Sequence, residues 1–210
     1  MLYEKLLRKI YALEDFIFEK YYGFNFSGNI KANDLVTSYA TKKNAFEYRP
    51  VFIGTLRNLF SEVGKIDCKY QNFIDIGSGK GKACFYALKK QVFKQVVGVE
   101  FSKELVDIAN QNQKVIGVSN IEFLNVDASN YVLPDELSFI FLFNPFDQIV
   151  LERFLQNNIN HFNSHNSVIA YANDVHRTVL VRMGFETIFR NQTRKISIYR
   201  MADSRTMCIL

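Results

Sequence analysis

The 210-residue sequence contains no tryptophan, only three prolines and only three cysteines. Its prolines and ten glycines form no clustered linker, so the sequence predicts a single domain. Cys68, Cys84 and Cys208 form no Cys-x-x-Cys pair, and their odd number leaves one unpaired in any disulfide scheme. The three histidines show no metal-ligand spacing. We therefore expect no structural zinc and no metal in the functional site.

Long apolar runs and concentrated charge are also missing. No apolar run approaches the roughly 18–20 residues that a membrane span requires. The first five residues lack the basic-then-apolar layout of a secretory signal. The 26 basic and 21 acidic residues give a net charge of +5, without the basic block of a dedicated nucleic-acid binder. We therefore expect a reduced, cytoplasmic protein with no membrane partner. Nucleic acid is a disfavoured partner, although the net charge permits it.

The aromatic residues, with no tryptophan among them, are all phenylalanine and tyrosine. The chain has 20 Phe and 11 Tyr within a hydrophobic fraction of 48%, which is ordinary for a folded domain. With no tryptophan available, the core or a pocket must be rich in phenylalanine.

The N-terminal part is predicted to be helical. Apolar residues recur at spacings of three and four over residues 1–20, which indicates an amphipathic helix. A second helix is expected from about Pro50 to Val63, because proline suits the first turn of a helix.

From residue 73 onward the chain alternates between strands and helices. Strands are expected at 73–76, 96–101, 121–126, 139–143 and 168–171, with helices ending near 90 and covering 103–114, 147–160 and 174–183. Ser102 is the expected N-cap of the helix 103–114. This alternation predicts a parallel sheet with helices on both faces. The last two strands, at 185–190 and 195–199, lie close enough to form an antiparallel hairpin.

The turn after the first strand is rich in glycine. It reads Asp75-Ile76-Gly77-Ser78-Gly79-Lys80-Gly81-Lys82 and leads into a helix, where backbone N–H groups can meet a ligand. A P-loop is excluded because Ile76 and Ala83 stand where Gly and Ser or Thr are needed. The dinucleotide fingerprint is disfavoured, though left open, because its third glycine falls one place early at Gly81.

The spacing acid-x-Gly-x-Gly-x-Gly resembles motif I of class I S-adenosylmethionine-dependent methyltransferases. The resemblance covers about residues 70–200. It implies a Rossmann-like, doubly wound, seven-stranded α/β sheet that is mostly parallel, with an antiparallel C-terminal hairpin strand. Residues 67–210 would form the S-adenosylmethionine-binding core, and residues 1–66 a helical N-terminal cap belonging to the same domain.

The same resemblance implies a set of cofactor contacts. Glu100, at the end of the second strand, would hold the ribose, and Phe101 would pack on the adenine. Asp127 and Ala128 would also contact the adenine. The methionine end would lie against a group in the first turn: Asp75, Gly77, Ser78, Gly79 and Gly81. Two alternatives remain open, since the turn could be an ordinary strand-to-helix connection and Asp127 an N-cap.

A second motif, Phe143-Asn144-Pro145-Phe146-Asp147, follows the fourth strand. It resembles the Asn/Asp-Pro-Pro-aromatic motif of methyltransferases that modify nitrogen, with one proline missing. The Asn144 oxygen and the Pro145 carbonyl could accept both hydrogens of an amino group, with Phe146 stacking on the substrate. The alternative is that Asn-Pro only turns the chain out of a buried strand. Taken together, the motifs show a weaker similarity to the Dot1-like (non-SET) protein-lysine methyltransferases.

These resemblances imply an enzyme that transfers the sulfonium methyl group of S-adenosylmethionine to a nitrogen. Among acceptors we rank protein amino groups first, small-molecule amines second and RNA or DNA third. If a general base takes part, Asp147 is the candidate. The rival classes are an NAD-dependent oxidoreductase and a non-catalytic cofactor-binding module.

The segment before the core, residues 38–50, contributes further aromatic candidates. Tyr39, Phe46 or Tyr48 could line the acceptor site, or they could pack the cap onto the sheet. Lys42-Lys43 and Arg49 are interpreted as a solvated turn.

Overall fold

The structure is a computed structural model that describes residues 2–31, 47–90 and 92–202. Tyr39, Lys42, Lys43, Phe46 and Cys208 lie outside the described residues. The helices are α1 (Leu2–Tyr22), α2 (Ile53–Val63), α3 (Lys82–Leu88), α4 (Lys103–Ile116), α5 (Gln148–Asn157), α6 (Ile159–Ser164) and α7 (Arg177–Arg182). The strands are β1 (Asn72–Ile76), β2 (Gln95–Glu100), β3 (Ile121–Asn125), β4 (Ser138–Leu142), β5 (Val168–Ala172), β6 (Phe185–Asn191) and β7 (Ile196–Met201).

The seven strands form one sheet in the order β3-β2-β1-β4-β5-β7-β6. The first five are parallel, and β7 is antiparallel to both β5 and β6. The predicted sheet and terminal hairpin are therefore confirmed. Because the chain runs outward from β1 to β3 and then returns to β4, the carboxyl ends of β1 and β4 open on the crevice where such sheets bind ligands.

Both faces of the sheet are covered, which explains the continuous apolar strands. On one face, aromatic rings from β1 and β4 interlock, with the Phe73 and Phe139 centroids 5.2 Å apart in an edge-to-face arrangement. On the other face, Ile74 and Ile140 pack with Phe154 of α5. The predicted phenylalanine-rich core is confirmed.

Three helices differ from prediction for local reasons. The second begins at Ile53 rather than at Pro50, with Phe52 as its N-cap. The helix expected over 147–160 is interrupted at Asn158, whose side chain binds the backbone of Leu133, Tyr131 and Phe154. The helix expected over 174–183 is confined to α7, because Asp174 is held against the hairpin instead.

The first helix rests on the core through one of its faces. Tyr11 and Phe18 are buried there. Asp15 forms an ion pair with Lys82 of α3 (2.6 Å) and accepts a hydrogen bond from the backbone of Ile53 (2.8 Å). The helical cap is thus fastened to the helix that follows the glycine turn. Among the described residues, no helix is both long and apolar enough to cross a membrane.

Candidate functional site

A cavity of about 270 Å³ opens at the carboxyl ends of the central strands. Ten of the twelve residues predicted for the site line it: Asp75, Gly77, Ser78, Glu100, Phe101, Asp127, Ala128, Asn144, Pro145 and Phe146. The two others, Gly79 and Gly81, do not. Residues as far apart in the chain as Asp75 and Asn144 therefore line the same cavity.

The glycines of the turn are required by their neighbours. Gly77, Gly79 and Gly81 all have positive φ, at 80°, 55° and 86°. A Cβ on Gly77 would lie 2.1 Å from the Pro145 ring, and one on Gly79 would lie 2.3 Å from the Tyr48 ring. Gly77 thus brings the two motifs into contact, while Gly79 is the surface on which Tyr48 rests.

Glu100 is a buried carboxylate held by backbone donors. The N–H groups of Gly79 and Ser102 each donate to one of its oxygens, both at 2.9 Å. Burial raises its pKa to about 7, and these donors limit the rise because they stabilise the charged form. Glu100 therefore fixes the glycine turn to the end of β2. Ser102 does precede α4, as predicted, but its side chain makes no cap hydrogen bond.

Asp75 is a second buried carboxylate with much weaker support. Its side-chain partner is the Cys84 thiol, which donates to Oδ2 at 3.9 Å. Burial, and to a smaller extent the nearby charge of Glu100, raise the pKa of Asp75 to about 8. Such a carboxylate, buried at the cavity and paired with no cation of its own, is suited to a positively charged or hydroxyl-bearing ligand.

Other polar groups in the cavity fit a ligand of this kind. The buried Ser78 hydroxyl has no hydrogen-bond partner among the described residues. Asp127 Oδ1 accepts from the backbone N–H of Ser129 (2.8 Å) and caps the short turn Ala128–Asn130, so the N-cap alternative holds for that oxygen. With two buried carboxylates and an unpaired hydroxyl, the residues fit a cofactor that carries an amino group and ribose hydroxyls.

The motif after β4 positions an amide at the same cavity. Asn144 has φ of 43°, unusual for a residue other than glycine. Its Oδ1 accepts a hydrogen bond from the Tyr171 hydroxyl at 3.0 Å. The Tyr171 hydroxyl in turn accepts from the backbone of His176, and burial raises its pKa, so it stays protonated as a donor. Asn144 is therefore held in a defined orientation.

Phe146 and Asp147, which follow Asn144 in the motif, have different structural roles. Phe146 lines the cavity and also packs in the core beside Val150, although the motif lacks its second proline. Asp147 does not line the cavity. Its Oδ1 accepts from the backbone of Ile149 and Val150 and caps α5.

Several lining residues were not predicted from the sequence. Asn173, after β5, lines the cavity and has φ of 53°. Lys82 and Phe143 line it as well. Asn173 could have been found by the rule that identified Asn144, since both lie within two residues of the end of a buried parallel strand. Tyr48 lines the cavity, and its hydroxyl donates to the Phe26 carbonyl (2.8 Å), so it also packs within the cap.

Comparisons with known proteins agree with this fold. Residues 68–207 match a family model described as a methyltransferase domain. No curated protein matches the chain. Among solved structures, a ribosomal protein L11 methylase from Lactobacillus delbrueckii subsp. bulgaricus is 18% identical, with a TM-score of 0.53 over 74% of this chain and 90% of its own. A Pyrococcus horikoshii protein provisionally assigned as an RNA methyltransferase is 18% identical, with a TM-score of 0.56 over 83% and 94%.

An S-adenosylhomocysteine-bound methyltransferase from Podospora anserina has the same fold, with 11% identity and a TM-score of 0.56 over 79% of this chain and 83% of its own. These identities support the fold alone, whereas the family model covers more than half of the chain. That model describes methyltransferase domains in general and does not distinguish the Dot1-like group. The chain belongs to the methyltransferase domain family and is a class I S-adenosylmethionine-dependent methyltransferase.

Proposed function

We propose that this methyltransferase modifies a nitrogen and that its preferred acceptor is a protein amino group. The observation that carries the proposal is the Asn144 amide, fixed at the cavity by Tyr171. A carbonyl oxygen accepts two hydrogen bonds, and Tyr171 uses one of them, so Oδ1 can still accept from an amino group. Together with the Pro145 carbonyl, it would turn the nitrogen lone pair toward the methyl group.

The cofactor-binding roles follow from where the polar groups lie. S-Adenosylmethionine supplies the reactive methyl group on its sulfonium. Asp75 and the glycine turn would bind the methionine end, with Gly79 and Gly81 shaping the turn from behind. Glu100 would accept from the ribose hydroxyls, and Phe101, Asp127 and Ala128 would surround the adenine.

The acceptor must arrive as a neutral amine. No histidine is among the described residues that line the cavity, and Asp147 already caps α5. Asn144 offers only its carbonyl oxygen toward the amine, so it orients the nitrogen without removing a proton. Phe143 and Phe146 would exclude water from that nitrogen, which makes positioning and desolvation the contributions of this chain.

Binding of S-adenosylhomocysteine is expected to stabilise the protein, and more strongly at pH 8 than at pH 6. Ligand at about 100 times its Kd adds about 2.7 kcal/mol, which raises the unfolding midpoint by about 5–10 °C. Asp75 and Glu100 have pKa values of about 8 and about 7 in the free protein, so at pH 6 both must lose a proton before they accept hydrogen bonds as carboxylates.

Thermal unfolding at a fixed ligand concentration measures this effect at each pH. NAD and ATP serve as controls and should leave the midpoint unchanged. A shift that is equal at pH 6 and pH 8 would show that neither carboxylate changes protonation on binding.

Replacing Asn144 by Ala is expected to lower the rate of methyl transfer by about 10- to 100-fold while the affinity for S-adenosylhomocysteine stays within about twofold. Asn144→Gly is the matched variant, because glycine removes the same amide but adopts the φ of 43° without strain. Both variants should lose turnover to the same extent. Asn144→Ala should be less stable than Asn144→Gly by about 1 kcal/mol, because both variants lose the Tyr171 hydrogen bond and only alanine is strained at this φ.

The assay follows a labelled methyl group from S-adenosylmethionine into protein, RNA and small-amine fractions. Transfer to protein amino groups that depends on Asn144 supports the proposal. Asn144-dependent transfer into RNA would reassign the acceptor, and unchanged transfer by both variants would remove Asn144 from the acceptor site.

A further inference from the structure

The first helix exposes a second apolar face. Tyr11 and Phe18 are buried against the core, yet six large apolar side chains on another side of α1 are 45–79% exposed. We call this set the α1 stripe; it consists of Leu6, Ile10, Leu13, Phe16, Ile17 and Tyr21. No role in the cavity accounts for these residues.

The α1 stripe is large enough for an interface. A large apolar side chain has about 150–250 Å² of surface, so six that are about half exposed present roughly 600 Å². The largest patch on a typical monomer is about 300–600 Å², and a standard interface buries about 800 Å² per partner. The stripe is therefore at the upper limit for a monomer and close to what a stable pair of proteins buries.

The spacing within the stripe matches the seam of a two-stranded coiled coil. Leu6, Ile10, Leu13 and Ile17 follow one another at intervals of four, three and four residues, which is narrower than the apolar sector of a helix lying on a broad surface. The seam ends before the next d position, which is Lys20; within it, isoleucine occupies both a positions and leucine both d positions. That combination favours two parallel helices.

The residues beside the seam, at the e and g positions, also complement those of a second copy. In a parallel pair, Lys9 faces Glu14 of the second copy, and Phe16 faces Tyr21 of the second copy. The Glu14 side chain is 28% exposed, and Lys9 would approach Oε1, the oxygen that also pairs with Arg57, because Oε2 is buried. An antiparallel pair would instead set Lys9 against Phe16 and Glu14 against Leu7, which gives neither charge an opposite partner.

We infer that the α1 stripe is a homodimer interface, in which α1 pairs in parallel with α1 of a second copy. The side of α1 that carries Tyr11, Asp15 and Phe18 remains on its own core, so pairing requires no rearrangement of the cap. The arrangement is a two-fold interface in which the same residues meet from both copies.

Light scattering or sedimentation of the full chain, from about 1 µM to about 100 µM, measures the mass as a function of concentration. The wild-type chain is expected to reach twice its monomer mass. Leu13→Glu should raise the dimer dissociation constant at least about 100-fold, because both copies lose a central contact. Ala12→Glu, on the same helix but outside the stripe, should leave the dissociation constant unchanged. Circular dichroism and unfolding midpoints show that both variants fold.

Cysteine cross-linking tests the direction of the helices. Leu6→Cys should form an interchain disulfide readily in a parallel pair, where the two substituted residues face each other, with the wild-type chain as the control for its own cysteines. A wild-type chain that is monomeric at every concentration overturns the inference, and so does a dimer that Leu13→Glu leaves intact. A monomer that binds vesicles of phosphatidylserine and phosphatidylcholine through the stripe would overturn it in favour of a lipid surface.

Discussion

Replacing Asp75 by Asn is expected to weaken cofactor binding by at least about 100-fold while making the free protein more stable. In the free protein this carboxylate is buried, its side-chain partner is a thiol at 3.9 Å, and its pKa is raised to about 8. Asparagine has the same shape without the charge. Titration calorimetry should show at least about a 100-fold loss of affinity for S-adenosylhomocysteine, which corresponds to loss of one buried charge pair.

The gain in stability should depend on pH in a defined direction. Well below pH 3.8, Asp75 is protonated in both the folded and the unfolded chain, so it contributes no pH dependence. Between the ordinary value of 3.8 and about 8, the folded chain holds a proton that the unfolded chain has lost, so wild-type stability falls as pH rises. The advantage of Asp75→Asn should therefore grow from pH 5 to pH 8.5, and reach about 2–8 °C in midpoint.

Glu100→Gln is the matched variant for this experiment. It also removes a buried carboxylate that lines the cavity, but Glu100 accepts from two backbone N–H groups. An amide would turn its NH₂ toward one of those donors and leave it unpaired, at a cost of about 1–3 kcal/mol. The gain in stability should be smaller than for Asp75→Asn. An Asp75→Asn protein that is less stable than wild type, or that keeps its affinity, would contradict the role assigned to Asp75.

The sequence predicted those features of the fold and site that depend on residues close together in the chain. Strand alternation, the glycine turn and the acids ending β1 and β2 could be read directly, because each is a local pattern at the carboxyl end of a strand. Contacts between distant segments could not. Nothing in the local sequence shows that Tyr48 rests on Gly79, or that Asn158 divides a helix by binding a loop 25 residues earlier.

The roles of Asp127 and Asp147 show the same limit. Both acids stand where a site residue was expected, and both form N-caps in the structure. An acid that follows a strand can bind a ligand or cap the next helix, so its position in the sequence cannot separate these two roles. Asp127 also lines the cavity, whereas Asp147 does not. Only the three-dimensional packing distinguishes these two cases.

Replacing Lys82 by Met is expected to destabilise the protein by about 3–5 kcal/mol and lower its unfolding midpoint by about 6–20 °C. Lys82 and Asp15 form an ion pair whose side chains are only 5% and 15% exposed. Burial lowers the pKa of Lys82 and raises that of Asp15, while each charge opposes the shift of the other. Without Lys82, the Asp15 carboxylate would be left buried without its cation.

Two further variants separate the charge from the packing. Asp15→Asn combined with Lys82→Met should be more stable than Lys82→Met alone, because no charge then remains buried. Arg57→Met removes a cation from the more exposed pair with Glu14 and should cost about 1 kcal/mol or less. The deficit of Lys82→Met should also shrink as pH falls from 8 to 5, since a protonated Asp15 no longer carries a buried charge.

These variants also test whether the N-terminal cap belongs to the same cooperative unit as the methyltransferase core. The ion pair joins α1 to the helix that follows the glycine turn, so its loss should lower one common unfolding transition, seen alike by circular dichroism and by calorimetry. If α1 were an independent unit, Lys82→Met would release the cap and leave the main transition in place. In that case the boundary near residue 66 would separate two domains, and the cap would contribute to the cavity only through Tyr48 and its neighbours.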